Sequence, residues 1–287
     1  MSIPVVPQLL NTPIAMLPGR AEMVIAEHAA RLGIVSLARM DGRQVALGAA
    51  PDPYGSAPPY NADPYDVVEG IACIPIRGSL VQRSGMTRPF CGVTGYDGIR
   101  AAFLEALRDR AVSAIVLDVD SPGGEVAGML DLMDTIAAAR GRKPIWSILG
   151  ENAYSAAYGL VSPSDIVTVP RTGGTGSVGV IYAHVDMADA FDNVGIRVTL
   201  ITDGDLKADG NEYEHLSQRA YDKLKADVTA VGVMFRGAVA KNRDMSPNAV
   251  RATQAGTFLG AQGVEIGFAD AVMAPDAAFR ALLSELG

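Results

Sequence analysis

Apolar residues recur along this chain with two alternating periods. Val68–Ile76 and Ala114–Val119 are short apolar runs of the kind a buried strand carries. Tyr96, Ile99, Phe103 and Leu107 return at the spacing of one helix face, and so do Val126, Met129, Leu130, Met133 and Ile136. Ile145–Leu149 reads as a strand, and a short helix begins near Ser155. Ile166–Val169 and Val178–Tyr182 read as strands, Val185–Val194 as a helix and Val198–Ile201 as a strand. Leu216, Ala220, Leu224, Val228, Val231 and Phe235 mark a long helix from Leu216 to Arg243. Ser246-Pro247 is a cap followed by proline at the first helical position, and the last helix runs from Pro275 to Leu286. Strands alternating with helices predict an α/β fold, with a largely parallel sheet covered by helices and right-handed crossovers.

The first part of the chain differs. Residues 18–40 carry helical spacing at Ala21, Val24, Ile25, His28, Ala29 and Leu32. Residues 48–66 are mostly Gly, Ala, Pro, Tyr, Asn and Asp, a composition that packs no core and reads as a linker. The expected organisation is a helical segment over 1–47, a linker over 48–66 and a main domain over 67–287. No internal repeat is present. A chain of 287 residues buries a full core without staples.

Composition narrows the function classes. The net charge of −8 disfavours nucleic acid as a partner, since phosphate binding needs a basic surface. The two cysteines, Cys73 and Cys91, form no Cys-x-x-Cys pair, which fits a reducing compartment. The start of the chain has no basic stretch, and prolines at 4, 7, 13 and 18 break its apolar runs. No secretory signal and no membrane span are expected. No His, Asp or Glu cluster has metal-ligand spacing, so neither a metal nor a cofactor is expected.

Three polar turns follow predicted strands, where open α/β sheets bind ligands. Asp118-Val119-Asp120-Ser121-Pro122-Gly123-Gly124 places two glycines ahead of a predicted helix, where bare backbone N–H groups hold an oxyanion or a phosphate. Taken alone, a Gly-Gly pair is an ordinary tight turn. It matches neither the Gly-x-x-x-x-Gly-Lys-Ser/Thr loop nor Gly-x-Gly-x-x-Gly. Asn152-Ala153-Tyr154-Ser155-Ala156-Ala157-Tyr158 sets a serine among small residues at a helix start, the logic of a nucleophile elbow or, more plainly, of an N-cap. Asp203-Gly204-Asp205-Leu206-Lys207-Ala208-Asp209-Gly210 holds one lysine in an acidic turn. A lysine taken out of water loses its proton more readily and can serve as a base for the serine; otherwise it is a solvated surface residue. His184 competes for that role in a Ser155–His184–Asp triad. His28 reads as packed, and His215 as a surface or cap residue.

In combination, Asp-Ser-Pro-Gly-Gly-x-Val, Ala-Tyr-Ser-Ala-Ala-Tyr, Thr-Gly-Ser-Val-Gly-Val and Leu-Lys-Ala-Asp-Gly-Asn resemble the S49 peptidase family, which includes signal peptide peptidase A and tailed-phage head maturation proteases. The resemblance covers roughly residues 67–275. Asn11-Thr12-Pro13, Leu17-Pro18 and Lys207-Ala208-Asp209-Gly210-Asn211 look most like the phage-type branch, and Arg243, Ser246 and Phe258-Leu259-Gly260 extend the likeness. It implies a ClpP/crotonase-like superfold and a Ser/Lys dyad. Ser155 matches the nucleophile, here in Tyr-Ser-Ala-Ala-Tyr where cellular members usually have Ala-Ser-Gly-Gly-Tyr. Lys207 matches the general base. Gly123, Gly124 and the N–H of Ala156 match the oxyanion hole, and Ser177 matches a serine that aims the lysine.

The function expected is therefore a serine endopeptidase of phage type, acting on polypeptide such as capsid or scaffold proteins. The substrate is expected to add as an extended strand beside Gly123-Gly124. A homo-oligomer is expected, located in the cytoplasm or with a phage prohead. The alternatives are a cellular signal-peptide peptidase, a crotonase-like acyl-CoA enzyme and a non-catalytic ring subunit.

Overall fold

The structure, a computed structural model, describes residues 13–16, 36–38, 44–46, 63–90 and 92–287. From the N-terminal segment come β1 (Pro13–Met16) and an antiparallel pair, β2 (Ser36–Ala38) with β3 (Gln44–Ala46). Residues 36–38 were expected to end a helix and instead form a strand; the remainder of that expected helix, His28 included, lies outside the described residues, as does Cys91.

The main sheet grows by strand–helix alternation. β4 (Asp66–Val68) turns back antiparallel onto β5 (Ile71–Val81), which pairs in parallel with β6 (Val93–Gly95). α1 (Tyr96–Arg108) then buries Ile99, Ala102, Phe103, Ala106 and Leu107, one apolar stripe of a 13-residue helix. It leads into β7 (Ala114–Glu125) and α2 (Met129–Ala137). β8 (Ile145–Tyr154) is followed at once by α3 (Ala156–Val161), whose six residues are all buried. β9 (Ile166–Val169), β10 (Gly174–Gly176), β11 (Ile181–Tyr182) and α4 (Ala188–Asn193) come next.

The last third is mostly helical. α5 (Gln218–Asn242) starts where Ser217 Oγ accepts from Ala220 N–H, and α6 (Pro247–Ala252) where Ser246 Oγ accepts from Ala249 N–H. β12 (Thr257–Leu259), α7 (Gly260–Glu265), β13 (Ala271–Val272) and α8 (Pro275–Leu286) complete the chain. The main core lies between the sheet and α1, α2, α3 and α5, around Phe103, Leu117, Tyr158, Phe235 and Phe268. A smaller cluster under α8 holds Ile71, Val116, Trp146 and Leu282 on the other side. The fold is α/β, and the β5–β7, β7–β8, β8–β9, β8–β10 and β9–β13 pairings are parallel.

One feature of the sheet positions the site. Over residues 115–119, β7 lies between β5 and β8. Beyond Ser121, β8 turns away to pair with β10, and β1 takes its place antiparallel to residues 123–125 of β7. On its other side β1 pairs with β11. The sheet thus forks at its upper end, and Ser155 lies at the fork.

Two expectations change here. The Ser121-Pro122-Gly123-Gly124 stretch is not a turn into a helix: β7 runs through it, and α2 begins only at Met129, after a left-handed Gly128. Its glycines let strands pack close on both sides, since a Cβ on Gly124 would collide with the Leu80 carbonyl oxygen. Residues 198–201 form no strand, because no sheet edge meets them; Ile201 is 95% exposed.

Candidate active site

Ser155 links β8 to α3 with φ +54 and ψ −118, a backbone region that residues with a side chain rarely enter. The turn is held on both sides. Ser155 N–H donates to Gly176 O at 2.7 Å, and its own carbonyl accepts from Gly159 N–H at 2.9 Å inside α3. Ala156 and Ala157 are fully buried, so the small residues that replace glycines after the serine serve close packing of α3. The serine itself is 1% exposed, and its Oγ donates to Gly179 O at 3.4 Å.

The Gly-Gly edge of β7 lies beside it. Gly123 has φ +101, and the position of a Cβ there is 2.9 Å from Tyr154 O and 3.0 Å from Ser155 Cβ. Its N–H donates to Ser121 Oγ at 3.2 Å, while Ser121 Oγ donates to Gly78 O at 2.7 Å. Ala156 is the first residue of α3, so its N–H has no partner within the helix. The structure therefore sets Gly123 against Ser155 at the fork, with Gly124 next along β7 and Ala156 next after the serine.

Ser177 joins them from the other side. It follows β10 with φ +55, donates its N–H to Gly256 O at 2.7 Å, and is buried. With Gly179, Ile181, Arg236, Arg251 and Gln254 it lines a cleft of about 370 Å³. The Ser155 hydroxyl is thus bonded to one wall of an open cleft. Glu125, two residues along β7 from Gly123, is also buried; its Oε2 accepts from Gln82 N–H at 2.6 Å. Burial raises its carboxyl pKa, and the Gln82 bond opposes the shift.

Neither candidate base touches the serine within this chain. Lys207 lies in an exposed turn, its N–H donating to Gly204 O at 3.1 Å, and its Nζ makes no bond among the described residues. His184 Nε2 is 3.1 Å from Asn211 O, so its ring is engaged away from Ser155. The nearby Asp186 carboxylate faces His215 Nδ1 at 2.8 Å, a contact that raises the pKa of the exposed His215; the Asp186 pKa is lowered first by the Ala188 N–H it accepts from and then by His215. Sequence reading did not foresee the carbonyls of Gly176 and Gly179 as partners of Ser155, although both lie in the Thr-Gly-Ser-Val-Gly motif. It also missed Ala15, whose carbonyl a Cβ on Gly123 would strike.

Among the described residues no group of His, Cys, Asp and Glu could hold a metal ion, and no helix is long and apolar enough to cross a membrane.

Comparison with known proteins gives this arrangement a context. The chain is 37% identical over 265 residues to the head-tail preconnector protein GP5 of Enterobacteria phage P21, covering 91% of this chain and 53% of that one. It is 36% identical over 265 residues to the capsid assembly protease C of Escherichia phage lambda, covering 91% of this chain and 60% of that protein. A signal peptide peptidase SppA of Enterococcus faecium, so named provisionally, is 27% identical over 62% of this chain and 52% of its own. The chain thus spans little more than half the length of the two phage relatives. Residues 137–286 match the model of peptidase family S49, a span that holds Ser155, Ser177 and Lys207, and the chain belongs to that family.

Proposed function

We propose that this chain is a serine endopeptidase of phage type that processes capsid or scaffold proteins around a prohead, with Ser155 as nucleophile and Lys207 as general base. The observation that carries the reading is the backbone of Ser155. A buried serine held at φ +54 between a strand and a helix, beside a glycine edge, is strained in the way functional turns are.

The chemistry follows from the neighbours. Lys207 takes the Ser155 proton, and Oγ adds to the peptide carbonyl. The N–H groups of Gly124 and Ala156 receive the oxyanion, a contribution of about 10²–10³ in rate for each donor. Gly123 shapes the edge rather than donating, because its own N–H is taken by Ser121. Lys207 returns the proton to the leaving amine, and water hydrolyses the acyl-enzyme. The substrate strand adds to the β7 edge, where its backbone groups find partners.

Lys207 meets Ser155 on assembly. Its turn is flanked by exposed Val194, Ile196, Ile201 and Leu206, apolar surface suited to burial against a second copy of the chain. The cleft beside Ser177 and Gly179 is the space through which an amine reaches the Ser155 hydroxyl, and Ser177 there orients it. A fluorophosphonate probe tests the nucleophile: it labels Ser155 in the native chain and leaves Ser155→Ala unlabelled. Labelling elsewhere, or none, overturns the assignment.

A further inference from the structure

The β7 edge at the site is occupied by the chain itself. Pro13–Met16 lies between β7 and β11 as an antiparallel strand, with Ile14 opposite Glu125, Ala15 opposite Gly124 and Met16 opposite Gly123. It is deeply seated: Ala15 is 0% and Ile14 2% exposed. Val126 N–H reaches Pro13 O at 3.4 Å, and hydrogen-bonded pairs alternate along an antiparallel ladder. The next bonded pair is therefore Ala15 with Gly124, which directs Gly124 N–H at the Ala15 carbonyl. The same carbonyl oxygen crowds the point on Gly123 that lies 3.0 Å from Ser155 Cβ. The Ala15 peptide carbonyl thus faces a proposed oxyanion donor on the strand that flanks Ser155.

We infer that Pro13–Met16 is a substrate of its own site, and that Ser155 cuts the bond between Ala15 and Met16. This rests on Ser155 being the nucleophile. Ser155 Oγ adds to the Ala15 carbonyl carbon and gives its proton to the base. The C–N bond to Met16 breaks as that proton passes to the Met16 amine, leaving residues 1–15 as an ester on Ser155. Water hydrolyses the ester, frees an Ala15 carboxylate and restores the hydroxyl. The product chain begins at Met16 and has a vacant groove, whereas the uncut chain blocks its groove against other polypeptides. The pocket facing the reacting position takes a side chain as small as alanine, because Ala15 is enclosed in the main core.

Intact-mass measurement on the purified full chain reads the outcome. Native protein converts to a form lacking residues 1–15, and Ser155→Ala stays full length. Ile14→Asp separates the two claims: a charge at that buried position, opposite the Glu125 carboxyl, unseats the strand and opens the groove. That variant is not cut after Ala15, yet a fluorophosphonate labels its Ser155 faster than in uncut native protein. Native chain that stays full length, or is cut at another bond, while Ile14→Asp is labelled at Ser155 overturns self-cleavage alone. Full-length native chain together with unlabelled Ile14→Asp overturns both.

Discussion

The backbone N–H of Ser155 donates to the carbonyl of Gly176 at 2.7 Å, tying the serine's turn to the end of a strand where Gly176 itself has φ +107. That bond holds Ser155 in a conformation it would not choose. Strain of this kind costs about 1–3 kcal/mol. Glycine adopts such angles freely but loses about 0.5–1 kcal/mol in chain entropy. Ser155→Gly should therefore gain about 1 kcal/mol while abolishing peptide hydrolysis, a rise in Tm of about 2–4 °C by calorimetry. Ser155→Ala keeps the strain, loses activity and melts near the native temperature. A Ser155→Gly chain that melts lower than Ser155→Ala contradicts the strain argument.

Gly123→Ala should reduce kcat by at least about 10²-fold, since its Cβ would collide with Ala15 O, press on Tyr154 O and Ser155 Cβ and displace the serine. Gly85→Ala is the control. Gly85 also has positive φ, +69, but nothing lies within 4 Å of a Cβ there. That variant should lose only the 1–2 kcal/mol or so of a left-handed residue and keep its kcat. Equal losses of kcat in both would mean that backbone strain, not the collision, matters.

Lys207→Ala and Lys207→Arg should each lower peptide hydrolysis by about 10²–10⁴-fold, because arginine does not give up its proton. His184→Ala gives up the contact with Asn211 O and should keep its activity. Peptide hydrolysis by the three variants checks this, and an active Lys207→Ala beside an inactive His184→Ala would hand the base role to the histidine.

Glu125 gives a pH dependence of stability. Its folded carboxyl binds a proton more tightly than the unfolded one because it is buried. Its contribution is therefore present in full below the ordinary carboxylate pKa and is lost as pH rises through the raised value. Glu125→Gln keeps an acceptor for Gln82 N–H and removes the titration, so its Tm should exceed that of the native chain at pH 7. Thermal melts across the acid-to-neutral range compare the slopes; an unchanged slope in Glu125→Gln would contradict the assignment.

Local signals were legible where the physics is local. The stripe of α1, the serine cap and proline of α6 and the span of α8 follow from spacing and capping alone. Ser121-Pro122-Gly123-Gly124 read as a turn because Pro and Gly punctuate chains. Its extended path comes from β5 and β1 lying against it, which no short window contains. Val198–Ile201 had strand composition but found no neighbouring edge. The residues around Ser155 were identified through four motifs, and the structure gathers those on β7, α3 and β10. Lys207 stays apart, since its surroundings in a single chain are solvent.

The fork in the sheet also bears on solubility. A strand edge with open N–H and C=O groups is a template for pairing with other chains. Residues 123–125 of β7 and 181–182 of β11 present such edges, and Pro13–Met16 covers both at once. The gap between them is the place where unwanted aggregation would begin. Keeping a strand of the chain in that gap caps the sheet, so Pro13–Met16 guards the molecule against its own kind.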